Sequence, residues 1–286
     1  MRPGGRRPLV LGMARDVWFT EWQTADVTLG LRVKGVLRHE KTPYQELMVL
    51  DTDAYGRVLV LDGAIQTTER DEFAYHEMMA HVPLTLHPHP RRVAVVGGGD
   101  GGVLREVLKH PEVDEGHLVE IDQRVLDASR DFFPAIARGL DHPRAVIHIT
   151  DGIRWMEEEA REFDVIIVDS TDPVGPAQGL FGEAFYRSVS RALQPDGILV
   201  VQSESPLLEP DLVRQVQKNL RAAFPVVTLY LGAVATYPTG LWTYSLASRK
   251  PLGTPRAVGD LGTRYWTPAV QQGAFWLPPM VQELLA

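Results

Sequence analysis

A glycine-rich run with one carboxylate inside it is the first feature of the sequence that could bind a ligand. In Gly97-Gly-Gly-Asp-Gly-Gly102, residues Gly97, Gly99 and Gly102 have the G-x-G-x-x-G spacing, between a β-branched run and a helical stretch. Backbone amides of such loops bind the pyrophosphate of dinucleotides, but the carboxylate of Asp100 would repel a pyrophosphate at close range. The loop therefore predicts a nucleoside-type ligand that carries an ammonium group, as an adenosyl sulfonium compound can.

Acidic residues after the next two β-branched runs fit the rest of a nucleoside. Glu120 ends the first of these runs, where a carboxylate can accept hydrogen bonds from ribose hydroxyls. Asp151, followed by Gly152, comes at the end of the second and suits the amino group of adenine. Each has a simpler interpretation: Glu120 as a solvated carboxylate at a strand end, and Asp151 as a helix N-cap. Both interpretations stay open on the sequence alone.

A further acidic tract, Asp169-Ser-Thr-Asp-Pro-Val-Gly-Pro176, follows the fourth β-branched run. Open α/β sheets bind substrates at this edge. The carboxylates of Asp169 and Asp172 can converge on one cationic group, because the turn between them is stiffened by proline. An Asx-type turn with capping roles is the alternative. The Gly- and Pro-rich residues 173–182 are typical of a lid.

The elements that must position these residues are of two kinds. Residues 1–15 are expected to be a flexible tail, and residues 16–68 alternate apolar and polar positions, which predicts an N-terminal antiparallel β domain of five or six strands. Residues 69–86 then change to helical spacing. Over the catalytic domain, residues 69–286, β-branched runs alternate with helices, which predicts an α/β fold with a methyltransferase-like Rossmann doubly wound sheet. The helices of that sheet are predicted at 102–109, 123–137, 152–161, 182–193 and 210–223.

Composition excludes several classes of protein. The chain has 286 residues and a formal net charge of −8, without a run of like charge, which argues against nucleic acid as a partner. The apolar run near the N-terminus is too short for a signal peptide or a membrane span, so we expect no membrane partner. Because the chain has no cysteine, disulfides and thiolate metal sites are excluded. We expect no metal and a cytoplasmic location.

Four stretches of the chain resemble the spermidine synthase (polyamine aminopropyltransferase) family. They are the glycine loop, Val119-Glu-Ile-Asp122, the Asp169 tract, and Leu61-Asp-Gly-Ala-Ile-Gln-Thr-Thr-Glu-Arg-Asp-Glu-Phe-Ala-Tyr-His-Glu-Met78. The resemblance extends from about Trp18 to the C-terminus. It implies transfer of a 3-aminopropyl group from decarboxylated S-adenosylmethionine, a co-substrate rather than a permanently bound cofactor, to a diamine. With putrescine as the diamine, the products would be spermidine and 5′-methylthioadenosine.

The resemblance also implies a role for each candidate site residue. Asp169 would accept the proton of the attacking amine. The amine-bearing groups of the substrates would be bound by Tyr75, His76, Asp100, Asp169, Asp172 and Tyr237. The nucleoside would be bound by Gln45, Gly97, Gly99, Glu120, Asp151, Gly152 and Pro176. The role of His76 is the least defined, because family members can have glutamine there and a histidine on such a helix can also be a packed, hydrogen-bonded core residue.

Other interpretations of the sequence remain. An S-adenosylmethionine-dependent methyltransferase would share the fold but must accept the methionine carboxylate, which Asp100 opposes. A non-catalytic polyamine-binding protein would not need Asp169 together with the nucleoside residues, and a nicotinamide oxidoreductase is a more distant alternative. The acceptor could be putrescine, agmatine, cadaverine or spermidine. We expect a homodimer or a homotetramer, with the β domain and the aromatic residues 265–279 as candidate subunit contacts.

Overall fold

The computed structural model describes residues 16–158, 163–171 and 175–285, and its first sheet is antiparallel. The five strands of this sheet pair in chain order: β1 (Val17–Trp22), β2 (Thr28–Lys41), β3 (Glu46–Thr52), β4 (Gly56–Leu61) and β5 (Ala64–Thr68). Asp62 and Gly63 join β4 to β5 with φ values of 49° and 85°. Two successive positive φ angles are typical of the hairpin turns that match strand twist.

The second sheet has seven strands in the order β11-β12-β10-β9-β6-β7-β8. Its strands are β6 (Arg92–Gly97), β7 (Glu115–Glu120), β8 (Ala145–Ile149), β9 (Phe163–Asp169), β10 (Leu193–Gln202), β11 (Val226–Ala233) and β12 (Leu241–Ser248). β12 is antiparallel to β10 and β11, and the other neighbours are parallel. This order confirms the predicted methyltransferase-like Rossmann fold preceded by an antiparallel β sheet.

Helices cover the second sheet. They are α1 (Glu72–Leu86), α2 (Gly102–Val107), α3 (Gln123–Phe132), α4 (Pro134–Ala137), α5 (Gly152–Glu158), α6 (Glu183–Ala192), α7 (Pro210–Ala223), α8 (Pro268–Ala274) and α9 (Pro279–Gln282). Short 3-10 helices occur at Arg138–Asp141, Gly175–Phe181, Pro238–Gly240 and Glu283–Leu285. In the part of the chain that the structure describes, no helix is long and apolar enough to cross a membrane.

Helix boundaries differ from the sequence prediction in physically simple ways. The helix predicted at 123–137 is two helices, because Pro134 lacks the amide hydrogen needed to continue α3 and begins α4 instead. The helix predicted at 102–109 ends at Val107, and the one predicted at 152–161 is described to Glu158. The predicted tail, residues 1–15, lies outside the described residues. The division into domains at residue 68 stays a prediction.

The first sheet packs against helices of the second. Leu47, Val49, Leu59 and Leu61 of β3 and β4 form one buried apolar cluster with residues of α3 and α4, including Val125 and Ile136. Burial of these side chains places the loop before β3 against the carboxyl ends of the parallel strands. Those ends are aligned by the ladder register, in which Gly97 pairs with Asp169 and Glu120 pairs with Ile149.

Candidate active site

One pocket at the carboxyl ends of the parallel strands collects most of the predicted site residues. Its wall includes Gln45, Tyr75, His76, Gly97, Gly99, Asp100, Glu120, Asp151, Gly152, Asp169 and Tyr237. We call the part around Tyr75, His76, Asp100 and Asp169 the Asp100 end, and the part around Gln45, Glu120, Asp151 and Gly152 the Glu120 end. Of the remaining predicted residues, Asp172 lies outside the described residues. Pro176 belongs to the 3-10 helix Gly175–Phe181, and its side chain is outside the described part.

The glycine loop packs directly on the end of β9. Gly98 N donates to the carbonyl oxygen of Asp169 at 2.7 Å. Gly97, Gly98 and Gly101 have φ values of 84°, 66° and 80°. A side chain on Gly97 would also place its Cβ 2.1 Å from the Asp169 carbonyl oxygen. Glycine is therefore required at this position both by the backbone conformation and by the close approach of β9.

Two other loop glycines make room for side chains of the protein itself. A Cβ on Gly99 would lie 2.8 Å from Glu120 Oε2, and a Cβ on Gly102 would lie 2.2 Å from the ring of His76. In the structure, each one has a protein carboxylate or imidazole against it, so the loop also determines where Glu120 and His76 lie.

Asp169 is a buried carboxylate held by a tyrosine. Tyr75 donates its hydroxyl hydrogen to Asp169 Oδ1 at 2.6 Å. Burial and the nearby charge of Asp100 raise the pKa of Asp169 to about 6, although His76 and the Tyr75 hydrogen bond oppose this shift. A carboxylate with such a pKa is a better proton acceptor than an ordinary aspartate and is still largely ionised at neutral pH.

His76 lies between two carboxylates. Its Nδ1 is 2.6 Å from Glu72 Oε2 and its Nε2 is 3.2 Å from Asp100 Oδ2. Burial disfavours the charged ring, but Asp100 and Glu72 outweigh burial and raise the pKa of His76 to about 10. Against its own burial, the imidazolium together with the backbone N–H of Gly102 lowers the pKa of Asp100. His76 is thus both a hydrogen-bonded core histidine and part of the pocket wall.

Among the described wall residues, no basic side chain neutralises the Glu120 end in this way. Glu120 is 8% exposed, and its Oε1 accepts from Asp122 N at 2.9 Å. It is therefore not a solvated carboxylate. Burial and the charges of Asp122 and Asp169 raise the pKa of Glu120 to about 7. Gln45 reaches this end because its Nε2 donates to Asp122 Oδ2 at 3.0 Å.

Asp151 and Tyr237 each have a structural hydrogen bond as well as a place in the wall. Asp151 Oδ1 accepts from Ile153 N at 2.8 Å, so the residue caps α5 as the simpler interpretation of the sequence expected. The Tyr237 hydroxyl donates to the carbonyl oxygen of Gln66 at 2.8 Å, and its ring lies 5.3 Å from that of Tyr75. A role for either residue in ligand binding stays a prediction.

The pocket wall also includes residues that were not identified from the sequence, among them Glu21 of β1, Gln202 of β10 and Trp242 of β12. Gln202 ends a parallel strand, so the rule that identified Glu120 and Asp169 would have found it. Glu21 gave no such signal, because it lies in an antiparallel strand with ordinary alternation. Its burial and its contact with Ile65 N, which donates to Oε1 at 2.9 Å, depend on how the two ends of the first sheet meet.

The charge of the pocket wall indicates which kind of ligand the pocket favours. The described wall residues include no lysine or arginine, and His76 is their one basic side chain. They include six carboxylates: Glu21, Asp62, Asp100, Glu120, Asp151 and Asp169. Such a wall favours a cationic ligand over a phosphate-bearing one. Nowhere in the described ranges is a group of three or more histidine or acidic side chains placed to hold a metal ion.

Two family models match most of the chain. Residues 72–255 match the family model of the spermine/spermidine synthase domain, and residues 17–69 match that of the spermidine synthase tetramerisation domain. The chain is 54% identical over 274 residues to a polyamine aminopropyltransferase of Moorella thermoacetica, with 95% of this chain and 97% of the relative covered. It is 49% identical over 273 residues to the polyamine aminopropyltransferase of Caldicellulosiruptor saccharolyticus, with 94% of this chain and 98% of the relative covered.

Two solved structures have the same fold. A spermidine synthase in complex with the transition-state analogue AdoDATO superposes with a TM-score of 0.90 at 36% identity, over 98% of this chain and 98% of that chain. The spermidine synthase of Thermotoga maritima superposes with a TM-score of 0.88, also at 36% identity, over 95% of this chain and 94% of that chain. The superposition therefore covers both sheets.

Proposed function

The chain belongs to the spermine/spermidine synthase family, and from this premise we propose that it transfers a 3-aminopropyl group from decarboxylated S-adenosylmethionine to putrescine. Its enzyme class is polyamine aminopropyltransferase. The observation that carries the proposal is the pocket wall with six carboxylates and no lysine or arginine among its described residues. Both substrates are cations, and a relative of the same fold forms a complex with the transition-state analogue AdoDATO.

The reaction is a nucleophilic displacement at carbon. The lone pair of an uncharged putrescine amine attacks the methylene carbon next to the sulfonium and forms a C–N bond. The C–S bond breaks, and its electron pair neutralises the sulfur, which leaves as 5′-methylthioadenosine. Because the sulfonium already activates the carbon, the enzyme must mainly align the two substrates and supply the amine in its unprotonated form.

We assign removal of the amine proton to Asp169. An alkylammonium with a pKa near ~10 and an ordinary aspartate near ~4 differ by about 8 kcal/mol in proton affinity. Raising the pKa of Asp169 to about 6 narrows this difference to about 5 kcal/mol. Desolvation of the ammonium beside the sulfonium narrows it further. The diamine therefore binds as an ammonium and loses one proton to Asp169 in the closed pocket.

The remaining residues divide between the two substrates. At the Asp100 end, Asp100 would bind the amine of the aminopropyl arm, and Tyr75 and Tyr237 would line the channel for the diamine. Glu21 and Gln202, which also belong to the pocket wall, offer polar groups for the second amine of the diamine. At the Glu120 end, Glu120 would accept from the ribose hydroxyls, while Asp151 with Gly152 and Gln45 would contact the nucleoside.

We propose a homo-oligomer that associates through the first sheet. β1 and β2 expose the apolar side chains of Val17, Trp18, Trp22 and Val36, and these strands belong to the segment that matches a tetramerisation domain. Exposed apolar patches of this kind mark interaction surfaces. Light scattering at micromolar protein should give a mass that is a multiple of 31.9 kDa; a mass equal to that of one chain would contradict the proposal. A cytoplasmic location stays a prediction from the cysteine-free composition.

One assay tests the proposed reaction. Purified protein is incubated with decarboxylated S-adenosylmethionine and putrescine, and methylthioadenosine and spermidine are measured by mass spectrometry. Equimolar formation of both products is the expected result. Parallel incubations with S-adenosylmethionine, and with agmatine, cadaverine or spermidine as the acceptor, determine the group transferred and the preferred amine. Methyl transfer, or binding of both substrates without turnover, would overturn the proposal.

A further inference from the structure

A line of buried ion pairs begins at His76 and leads away from the pocket between α1 and α2. His76 Nδ1 contacts Glu72 Oε2, one helical turn earlier on α1, at 2.6 Å. Arg105 of α2 donates to both oxygens of Glu72, from Nη2 to Oε2 at 2.7 Å and from Nη1 to Oε1 at 3.2 Å. Neither Glu72 nor Arg105 belongs to the pocket wall, and His76 is the wall residue to which Glu72 is hydrogen-bonded. The charge of Glu72 also acts on the Asp100 carboxyl group through space.

Arg105 is also held from its other side. Its Nε donates to Glu106 Oε1 at 2.8 Å, and Glu106 Oε2 in turn contacts Lys109 Nζ at 2.6 Å and His81 Nε2 at 3.0 Å. The side chains of Glu72 and Arg105 are 9% and 8% exposed. A bidentate carboxylate–guanidinium pair with this much support has one geometry. Glu72 therefore presents its Oε2 to His76 from a fixed position.

The pocket side of His76 is equally constrained. Gly102 leaves the space that the ring occupies, since a Cβ there would be 2.2 Å away. Asp100 Oδ2 lies 3.2 Å from His76 Nε2, and Asp100 Oδ1 accepts from Gly102 N at 2.7 Å. Both Asp100 oxygens thus have a donor, and one of the two donors is the imidazole that Glu72 holds.

We propose that Glu72 and Arg105 are positioning residues of the Asp100 end: they fix the His76 ring and keep it charged, and His76 in turn fixes Asp100 for the amine of the aminopropyl arm. The inference rests on the proposed function, because it assigns that arm to Asp100. The proposal predicts different effects on two ligands. Loss of the Glu72 charge should weaken binding of a ligand that carries the aminopropyl arm and leave binding of a nucleoside without that arm unchanged.

The charge of His76 depends on groups from several elements. Glu72 and Tyr75 face it from α1, Asp100 from the glycine loop and Asp169 from β9, and Arg105 of α2 acts through Glu72. Its pKa is raised to about 10, against burial, by Asp100 and Glu72. Removing one of two carboxylate partners should lower the pH midpoint of the ring by about 1 to 3 units.

The first experiment measures the protonation of the His76 ring directly. Protein labelled with ¹⁵N-histidine is titrated by NMR, and the His76 signals are identified by their loss in His76→Gln. In the wild type, we expect both ring nitrogens to stay protonated above pH 8. In Glu72→Gln, the midpoint should fall by about 1 to 3 pH units. An unchanged midpoint would overturn the proposal, and this measurement does not depend on turnover.

The second experiment separates the two ends of the pocket. Calorimetry without diamine gives dissociation constants for decarboxylated S-adenosylmethionine and for methylthioadenosine, which lacks the aminopropyl arm. Glu72→Gln should bind the first about tenfold to 100-fold more weakly, as small displacements of positioned groups can cause, and the second as the wild type does. Equal weakening of both ligands would indicate general destabilisation and overturn the proposal.

A double variant distinguishes positioning from structural support. Glu72→Gln combined with Arg105→Met replaces the ion pair by neutral groups. This can restore stability lost in Glu72→Gln, because the Arg105 charge no longer lies beside a neutral partner and Glu106 keeps its contacts with Lys109 and His81. We expect thermal stability to recover in this variant, while binding of the decarboxylated co-substrate does not. Recovery of that binding would mean that the pair only supports the fold.

The matched control is Glu77→Gln on the same helix. The Glu77 carboxylate is buried and accepts from the backbone N–H groups of Arg264, Tyr265 and Trp266. This variant should lower the melting temperature and leave the His76 midpoint unchanged. If wild-type protein forms no methylthioadenosine from the two substrates, the proposed function fails, whereas the NMR titration still reports on the Glu72–His76 pair.

Discussion

Carboxylates are buried at both ends of the pocket, but their electrostatic surroundings differ. At the Asp100 end, His76 lies 3.2 Å from Asp100 and lowers the pKa of that carboxyl group against the effect of burial. At the Glu120 end, burial acts together with the charges of Asp122 and Asp169, and the pKa of Glu120 rises to about 7. The Asp100 end therefore contains a neutralising cation before any ligand binds, whereas the described wall residues at the Glu120 end include none.

The difference matches what each end would bind. An ammonium group brings its own positive charge, so a fully ionised and well-positioned Asp100 can accept its hydrogen bonds without a change of protonation. Ribose hydroxyls bring no charge, so a Glu120 that must ionise to accept two of them has to do so against its surroundings. The two ends should therefore respond differently to neutral substitutions and to pH.

The largest effect is expected for Asp169→Asn. An amide keeps the shape of the side chain but cannot accept the amine proton, so turnover should fall by ~100-fold or more. Methylthioadenosine binding should stay near that of the wild type. Steady-state kinetics together with calorimetry measures both quantities. Wild-type turnover in this variant would place the general base at another residue, with Asp172 the next candidate.

Asp100→Asn should remove much of the selectivity for the decarboxylated co-substrate. S-adenosylmethionine carries an additional carboxylate, and two like charges at ~4 Å cost on the order of 4 kcal/mol at an effective dielectric of 20. The His76 charge offsets part of this repulsion, so we expect the affinity ratio of the two compounds to narrow by roughly tenfold to 100-fold. Competition binding to wild type and variant measures the ratio. Equal affinities in the wild type would favour the methyltransferase interpretation.

Glu120→Gln should affect ligand binding at the Glu120 end alone. Replacing a charged acceptor by a neutral one should weaken methylthioadenosine binding by about 1 to 2 kcal/mol, or roughly tenfold. The selectivity between the decarboxylated compound and S-adenosylmethionine should not change, since the two share the same nucleoside. Calorimetry with all three ligands tests this separation, and an unchanged dissociation constant for methylthioadenosine would remove Glu120 from the ribose site.

The smallest effect is a pH dependence of nucleoside binding. Because the pKa of Glu120 is raised to about 7, the group is mostly protonated at pH 6 and mostly ionised at pH 8. If the protonated form binds roughly tenfold more weakly than the ionised form, as expected for Glu120→Gln, methylthioadenosine should bind about fivefold more tightly at pH 8 than at pH 6. Glu120→Gln should abolish the difference. A wild-type affinity independent of pH over this range would contradict a binding role for the Glu120 charge.

Much of the architecture was determined by the sequence alone. Buried parallel strands are recognisable in the sequence as runs of β-branched residues. Because amphipathic helices separate these runs, only a few strand orders are possible for the sheet. The acidic residues Glu120 and Asp169 and the glycine loop could be placed at one edge of the sheet from chain order, because the carboxyl ends of parallel strands lie together. Family membership followed from the same motifs.

Only the tertiary structure decided which side chains are partners. Tyr75 and Asp169 are 94 residues apart in sequence, Gln45 and Asp122 are 77 apart, and Glu72 and Arg105 are 33 apart. Periodicity reports the type of an element and its buried face, but the same pattern is compatible with many pairings of polar groups between elements. The charge of His76 and the raised pKa values of Asp169 and Glu120 depend on those pairings and on burial, because desolvation and neighbouring charges act through space rather than along the chain.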